Sequence, residues 1–119
     1  MIEIYQYDVA SFENDLIEAY GDSCFVNPEH ARKFAAKVAR EIRDGSKANV
    51  EPAQPYYKHV ATVDADDLDE AFELTNLWND EDRVERKARM HSTSIGDVLK
   101  TPDGIYHMVD RVGFKPVWA

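Results

Sequence analysis

The order of hydrophobic and polar positions along the chain predicts both strands and helices. At the start, Ile2 and Ile4 alternate with Glu3, Tyr5 and Tyr7, which is the period of a strand with one buried face. Five segments are predicted as strands: Met1–Tyr7, Tyr56–Val63, Gly96–Lys100, Ile105–Asp110 and Phe114–Trp118. Three segments have apolar residues at helical spacing and are predicted as amphipathic helices: residues 10–20, 28–44 and 68–78.

The ends of these helices carry suitable capping residues. Asn27 suits the N-cap of the second helix, Pro28 its first position and Gly45 the position after its end. Gly21 and Asp22 are expected to end the first helix. The predicted buried stripes are Phe12, Leu16, Ile17 and Tyr20 in the first helix, Ala31, Phe34, Ala35, Val38 and Ile42 in the second, and Leu68, Ala71, Phe72, Thr75 and Trp78 in the third.

The connections complete a prediction of the fold. Ser46–Pro55 is polar with two prolines and is predicted as a loop, and Asn79–Met90 as an irregular, mobile connection. Thr101-Pro102-Asp103-Gly104 is predicted as a turn, and residues 111–113 as a second reversal. The expected architecture is one α+β domain over residues 1–119, in the order β-α-α-β-α-β-β-β. Its mixed or antiparallel sheet has about five strands, and a C-terminal β-meander packs against about three helices.

Size and composition bound the class of protein. A chain of 119 residues with 44% hydrophobic content is large enough for one core without disulfides. No apolar run approaches the roughly 20 residues that span a bilayer, and no signal sequence opens the chain. Cys24 is the only cysteine, so no internal disulfide is possible. We therefore expect a soluble protein of the cytoplasm that does not bind membranes.

The net charge of −9 comes from one segment. Nine acidic residues and no lysine or arginine lie between positions 64 and 82: Asp64, Asp66, Asp67, Asp69, Glu70, Glu73, Asp80, Glu81 and Asp82. Such a surface repels nucleic acid and membranes and attracts basic protein patches. It is either a solvated face, neutralised in part by the bases of the second helix, or a binding surface that imitates the phosphate spacing of DNA.

The segment Ser92-Thr93-Ser94-Ile95-Gly96-Asp97 resembles a phosphate cradle. It lacks the Gly-Lys-Ser/Thr sequence that opens a helix in a phosphate-binding loop, and it leads into a strand. The favoured interpretation is structural: the hydroxyl groups bond backbone groups where the strand begins, and Gly96 permits a bulge or a close approach.

Other residues offer weaker candidates for chemistry. The four histidines have no metal-ligand spacing, so neither a metal nor a cofactor is predicted. Cys24 lacks a nucleophile signature and is expected to be a small buried hydrophobe. A small hydrolase or nucleotide-binding enzyme would need His91, Asp97, His107 and Asp110 to meet in one pocket. Exposed tyrosines and tryptophans of the sheet would instead favour protein binding.

The second half of the chain resembles a group of short proteins from phages and mobile elements, the YodL-like group. The resemblance is carried by Ala71–Asn76, Ser92–Val98, Asp103-Gly104, Tyr106 and Gly113-Phe114. It covers about half of the chain and leaves residues 1–56 outside. The resemblance implies no catalytic residues, because none are established for the group.

These observations predict a non-enzymatic accessory protein of a phage or mobile element. It is expected to bind a host protein with a basic patch, such as a defence nuclease or a transcription component, and to modulate that protein by inhibiting it. The nine acidic residues of positions 64–82 are its predicted partner-binding surface. Two alternatives stay open: the small enzyme described above, and a structural homodimer joined through an exposed strand edge.

Overall fold

The structure, a computed structural model, describes residues 1–20, 28–45 and 47–118. Four α-helices are present in this part of the chain: α1 (Val9–Tyr20), α2 (Pro28–Arg43), α3 (Lys47–Val50) and α4 (Leu68–Leu77). Two 3₁₀ helices cover Glu51–Tyr56 and Glu81–Arg83. The same ranges contain six strands: β1 (Ile2–Tyr7), β2 (Tyr57–Val63), β3 (Val84–Arg86), β4 (Val98–Lys100), β5 (Tyr106–Val109) and β6 (Phe114–Val117).

The six strands form one antiparallel sheet in the order β3-β2-β1-β4-β5-β6. The N-terminal strand β1 is therefore central, between β2 and β4, and the last three strands are a meander. Thr101–Gly104 makes the tight turn between β4 and β5, with Gly104 N–H donating to Thr101 O at 2.9 Å. The prediction of an α+β domain with a C-terminal meander is confirmed.

Helices cover both faces of the sheet. On one face α4 packs over a core that includes Ile2, Ile4 and Leu99. On the other face, α2 and α3 contribute Ile42 and Val50 to a second core. The remaining members of this second cluster are Ala53, Val98, Met108 and Val117, bordered by Tyr5, Tyr7, Val38, Tyr57, Tyr106 and Trp118. Successive residues of β1 and β4 supply opposite clusters because side chains alternate across a strand.

Three sequence-based predictions are wrong. Val84–Arg86, expected to be irregular, forms the edge strand β3 and pairs with β2, so the sheet has six strands. Ser46–Pro55, expected to be a loop, contains α3 and a 3₁₀ helix that continues to Tyr56. Phe34, expected to be buried, is 50% exposed, and its ring contacts that of Phe12.

Several other predictions lie outside the described residues. These are the helix end at Gly21 and Asp22, the environment of Cys24, the N-cap Asn27, and the side chains of Ile17, Tyr20 and Ala31. Within the described ranges, no helix has the length and apolar character needed to cross a membrane.

Candidate functional site

The acidic residues of positions 64–82 surround the first turn of α4. Asp67 is the N-cap of this helix, and its Oδ1 accepts the Glu70 backbone N–H at 2.8 Å. Glu70 reaches back, and its Oε1 accepts the Asp66 backbone N–H at 3.3 Å. The Asp67 side chain thus satisfies an N–H group that the helix cannot pair internally, and the Glu70 side chain holds the residue that precedes the N-cap. Asp67 and Glu70 therefore have structural roles.

Arg83 brings the second half of the acidic segment beside the first. Its guanidinium forms an ion pair with Glu70, and its Nε donates to Asp64 O at 2.9 Å. The 3₁₀ helix Glu81–Arg83 is thereby held against the start of α4. We call the nine acidic residues, which meet around Arg83 and the first turns of α4, the acidic corner.

Most of the acidic corner is available to a partner. Eight of its nine members are exposed, and Glu70 is half-buried. Glu81 forms an ion pair with Arg86 at 2.9 Å. Six of the carboxylates form no hydrogen bond or ion pair with a described residue. Those of Asp64 and Asp80 still act electrostatically on Arg83, whereas the other four have no such interaction: Asp66, Asp69, Glu73 and Asp82.

The bases of α2 do not neutralise this corner. Arg32, Lys33 and Lys37 form ion pairs with acidic residues of α1 and α2 themselves. The other two bases of α2, Arg40 and Arg43, form no ion pair with a described carboxylate, so no base of this helix is paired with the acidic corner.

A second polar cluster lies at the end of β1, on the α4 face of the sheet. Gln6 is buried there and holds the loop before β4. Its Nε2 donates to His91 O at 2.9 Å and to Asp97 Oδ2 at 3.1 Å, and its Oε1 accepts the His91 backbone N–H at 3.3 Å. Every polar atom of the Gln6 side chain is thus satisfied, as burial requires.

Asp97 is the buried acid of this cluster, with 5% of its surface exposed. Burial raises the pKa of Asp97 to about 7, against the opposing effects of the Ser94 backbone N–H, His91, Gln6 and Arg43. The Ser94 N–H lies 2.9 Å from Oδ2, and His91 Nδ1 lies 3.9 Å from the same oxygen. Low-dielectric surroundings disfavour the carboxylate, so this group changes charge near neutral pH.

Two cavities adjoin the pair His91 and Asp97. The larger, of about 590 Å³, is an open cleft between the start of α1 and the loop after β3. The smaller, of about 30 Å³, lies between α2 and the loop before β4. Tyr7 and His91 line both cavities, and Asp97 lines the smaller one.

Only two of the four residues of the enzyme alternative come together. His91 and Asp97 are adjacent, as described above. His107 Nε2 lies 3.3 Å from Thr101 Oγ1, at the opposite end of β4 and β5. Asp110 forms an ion pair with Lys115 at 2.6 Å. The four side chains thus occupy three separate environments.

The predicted structural role of Ser92–Asp97 is partly confirmed. Gly96 makes a close approach: it has φ +91°, and a Cβ at this position would lie 2.5 Å from Ile42 O. The hydroxyl groups differ from the prediction, because Thr93 Oγ1 bonds the side chain of Thr75 at 2.6 Å and Trp78 Nε1 donates to Ser92 Oγ at 3.1 Å. These contacts fix the loop to α4.

The aromatic residues of the sheet pack mainly on one another. Tyr57 and Tyr106 both make edge contacts with Trp118, and Tyr5 contacts Tyr106. They border the core beneath α2 and α3. These rings therefore stabilise the fold and do not form the exposed aromatic surface considered from the sequence.

Two tyrosines of this region offer a matched test of buried hydroxyl groups. Tyr57 donates to Gly96 O at 2.5 Å, whereas the buried Tyr7 hydroxyl has no partner among the described residues. We expect Tyr57→Phe to lower the free energy of unfolding by about 1–3 kcal/mol, because it leaves a buried carbonyl unpaired. Tyr7→Phe should match or exceed wild-type stability. Urea unfolding of both variants measures this, and a larger loss in Tyr7→Phe would contradict it.

The sequence analysis identified His91 and Asp97 as candidates but missed Gln6 and Tyr7, and also Lys58 and Arg89, which line the larger cavity. The one sequence signal for this cluster was Gln6, a polar residue at an inward-facing position of β1, where Ile2 and Ile4 precede it.

Among the residues described, no group of three or more histidine, cysteine, aspartate or glutamate side chains could hold a metal ion.

Comparisons with known proteins add no relative. No protein-family model matches the chain, and neither the curated proteins nor the solved structures contain a significant match. The resemblance to the YodL-like group therefore remains a prediction.

Proposed function

We propose that this chain is a small accessory protein of a phage or mobile element that binds and modulates a host protein through its acidic corner. The observation that carries the proposal is the group of four exposed carboxylates without a described partner, Asp66, Asp69, Glu73 and Asp82. They lie beside Asp67 and Glu70, whose carboxylates stabilise the start of α4. Together they present a negative surface to a basic patch on a protein.

The two alternatives have less support. The edge strands are poor templates for pairing, because β3 has three residues and β6 contains Pro116, which has no backbone N–H to donate. A strand-edge homodimer is therefore disfavoured. The enzyme alternative retains only the pair His91 and Asp97, without the nucleophile and orienting group that a catalytic site needs.

The proposal predicts that host protein capture depends on the four unpaired carboxylates. The variant Asp66→Asn/Asp69→Asn/Glu73→Gln/Asp82→Asn removes four negative charges and leaves the capping residues Asp67 and Glu70 in place. We expect it to bind the captured partner about tenfold to a hundredfold more weakly, since exposed ion pairs contribute about 0.2–1 kcal/mol each. The measurement is affinity purification from host lysate, followed by titration of the partner that is recovered.

A matched variant controls for net charge. Asp15→Asn/Glu29→Gln/Glu41→Gln/Asp44→Asn removes the same number of charges from the side of α1 and α2, and should bind as wild type does. Binding by wild type should also weaken as NaCl rises from about 0.05 M to about 0.5 M, because salt screens exposed charges. Equal affinity of both variants for the partner would show that the acidic corner is not the binding surface.

A further inference from the structure

The lysines and arginines of this protein are distributed unevenly between paired and unpaired positions. Ten of the fourteen form an ion pair with a described carboxylate. The four that form none with a described residue are Arg40, Arg43, Lys58 and Arg89. Three of these four line the two cavities beside His91: Lys58 and Arg89 the larger, and Arg43 the smaller.

This concentration runs against the overall charge of the molecule. In a chain of net charge −9, most cations find a carboxylate nearby. The cleft of about 590 Å³ is instead lined by Lys58 from β2 and Arg89 from the loop after β3, together with the half-exposed His91. Clefts lined by one sign of charge focus the electrostatic field and concentrate ligands of the opposite sign.

Asp8 is the one acidic residue among those that line the cleft. It is engaged in capping α1: Oδ1 accepts the backbone N–H groups of Ala10 and Ser11 at 3.1 and 3.3 Å, and Oδ2 accepts the Ser11 hydroxyl at 2.9 Å. Lys58 and Arg89 make no bond to it. The cleft is therefore lined by two cations without an ion pair, Lys58 and Arg89, and by one carboxylate, Asp8, which already accepts hydrogen bonds from α1.

The cleft also has the size and the polar groups of a ligand site. Its volume lies within the range of about 300–1,000 Å³ that is usual for small-molecule pockets. Val9, Val60 and Met90 supply apolar walls, and Gln6 fixes the position of the His91 backbone. Charge-assisted bonds from lysine and arginine are the strongest polar contacts that such a cleft can offer an anion.

From this arrangement we infer that the cleft between β1, β2 and the loop after β3 binds a small organic anion of about nucleotide size, whose phosphate or carboxylate group lies between Lys58 and Arg89. The site is separate from the acidic corner and uses different residues. Different variants therefore test binding at the cleft and binding of a protein at the acidic corner.

Calorimetric titration with four probes tests this inference: AMP, inorganic phosphate, citrate and adenosine. We expect AMP or citrate to bind one site per chain, and the difference between them to distinguish a phosphate from a carboxylate ligand. Adenosine, which lacks the charge, should bind at least tenfold more weakly than AMP if phosphate is recognised, since a charge-assisted bond is lost. Absence of binding by AMP, phosphate and citrate up to about 10 mM would overturn the inference.

Substitutions then locate the site. Lys58→Gln/Arg89→Gln should weaken binding of the active probe at least tenfold, whereas Lys33→Gln/Arg40→Gln, which removes two cations of α2 outside the cleft, should leave it unchanged. Ala10→Trp, at an exposed lining position, should block the cleft sterically while the protein stays folded by circular dichroism. Equal affinity of the cleft and control variants would overturn the inference, as would an Ala10→Trp variant that binds normally.

Discussion

Gly96→Ala is expected to lower the free energy of unfolding by about 3 kcal/mol or more, because it combines two unfavourable effects. Gly96 has φ +91°, a conformation that alanine adopts with strain. The new Cβ would also lie 2.5 Å from Ile42 O and 2.6 Å from Ile42 Cγ2, so the end of α2 would have to move. Urea unfolding followed by circular dichroism measures the loss.

Gly104→Ala is the matched control for this prediction. Gly104 has a similar φ of +87°, but nothing lies within 4 Å of a Cβ built there. Its substitution should therefore show the backbone strain alone, about 1–2 kcal/mol. An equal loss of stability in Gly96→Ala and Gly104→Ala would contradict the prediction, because the end of α2 would then move away from the new methyl group at no cost in free energy.

The importance of Gly96 follows from the elements that meet at it. Its backbone N–H donates to Val109 O at 2.9 Å, and its carbonyl accepts the hydroxyl of Tyr57. With Ile42 against its Cα, this residue joins the end of α2 to β2 and β5. The sequence indicated a bulge or a close approach at Gly96, but not which of the two occurs or which elements take part.

Local patterns predicted the elements whose signals are local. The alternation of Ile2 and Ile4 predicted β1, and Pro102 with Gly104 predicted the turn before β5, because each depends on a few neighbouring residues. The strand β3 could not be predicted in this way. Val84–Arg86 is short and charged, and it is a strand only because β2 lies beside it, with Val63 opposite Val84.

The two candidate sites also differ in whether local sequence patterns could predict them. The acidic corner is visible in the sequence, although the structural roles of Asp67 and Glu70 within it required the geometry of the cap. The cleft is not visible, because Gln6 and His91 are 85 residues apart and meet only through the order of the sheet. Lys58 and Arg89 differ from other cations only in what lies around them.

Asp97→Asn is expected to change how stability depends on pH, because Asp97 is a buried acid whose pKa is raised to about 7 from its ordinary value of 3.8. Between pH 4 and pH 7 the folded protein binds a proton at Asp97 that the unfolded chain does not. The stability of wild type therefore falls with rising pH across this window, by at most about 4 kcal/mol, since one pKa unit corresponds to about 1.36 kcal/mol. An amide does not ionise, so the variant lacks this contribution.

The two forms should consequently have similar stability near pH 4.5, where the protonated Asp97 side chain and the amide that replaces it both offer an oxygen to Gln6 Nε2 and to the Ser94 N–H. Near pH 8 the variant should be the more stable, because wild type then buries a carboxylate. Other acids, such as Asp110, whose pKa is lowered by Lys115, titrate in both proteins and cancel in the difference. Urea unfolding at the two pH values gives that difference directly. A stability difference between the two proteins that did not change with pH would contradict the prediction. It would mean that Asp97 is ionised at both pH values, with the neighbouring His91 and Arg43 compensating for its burial.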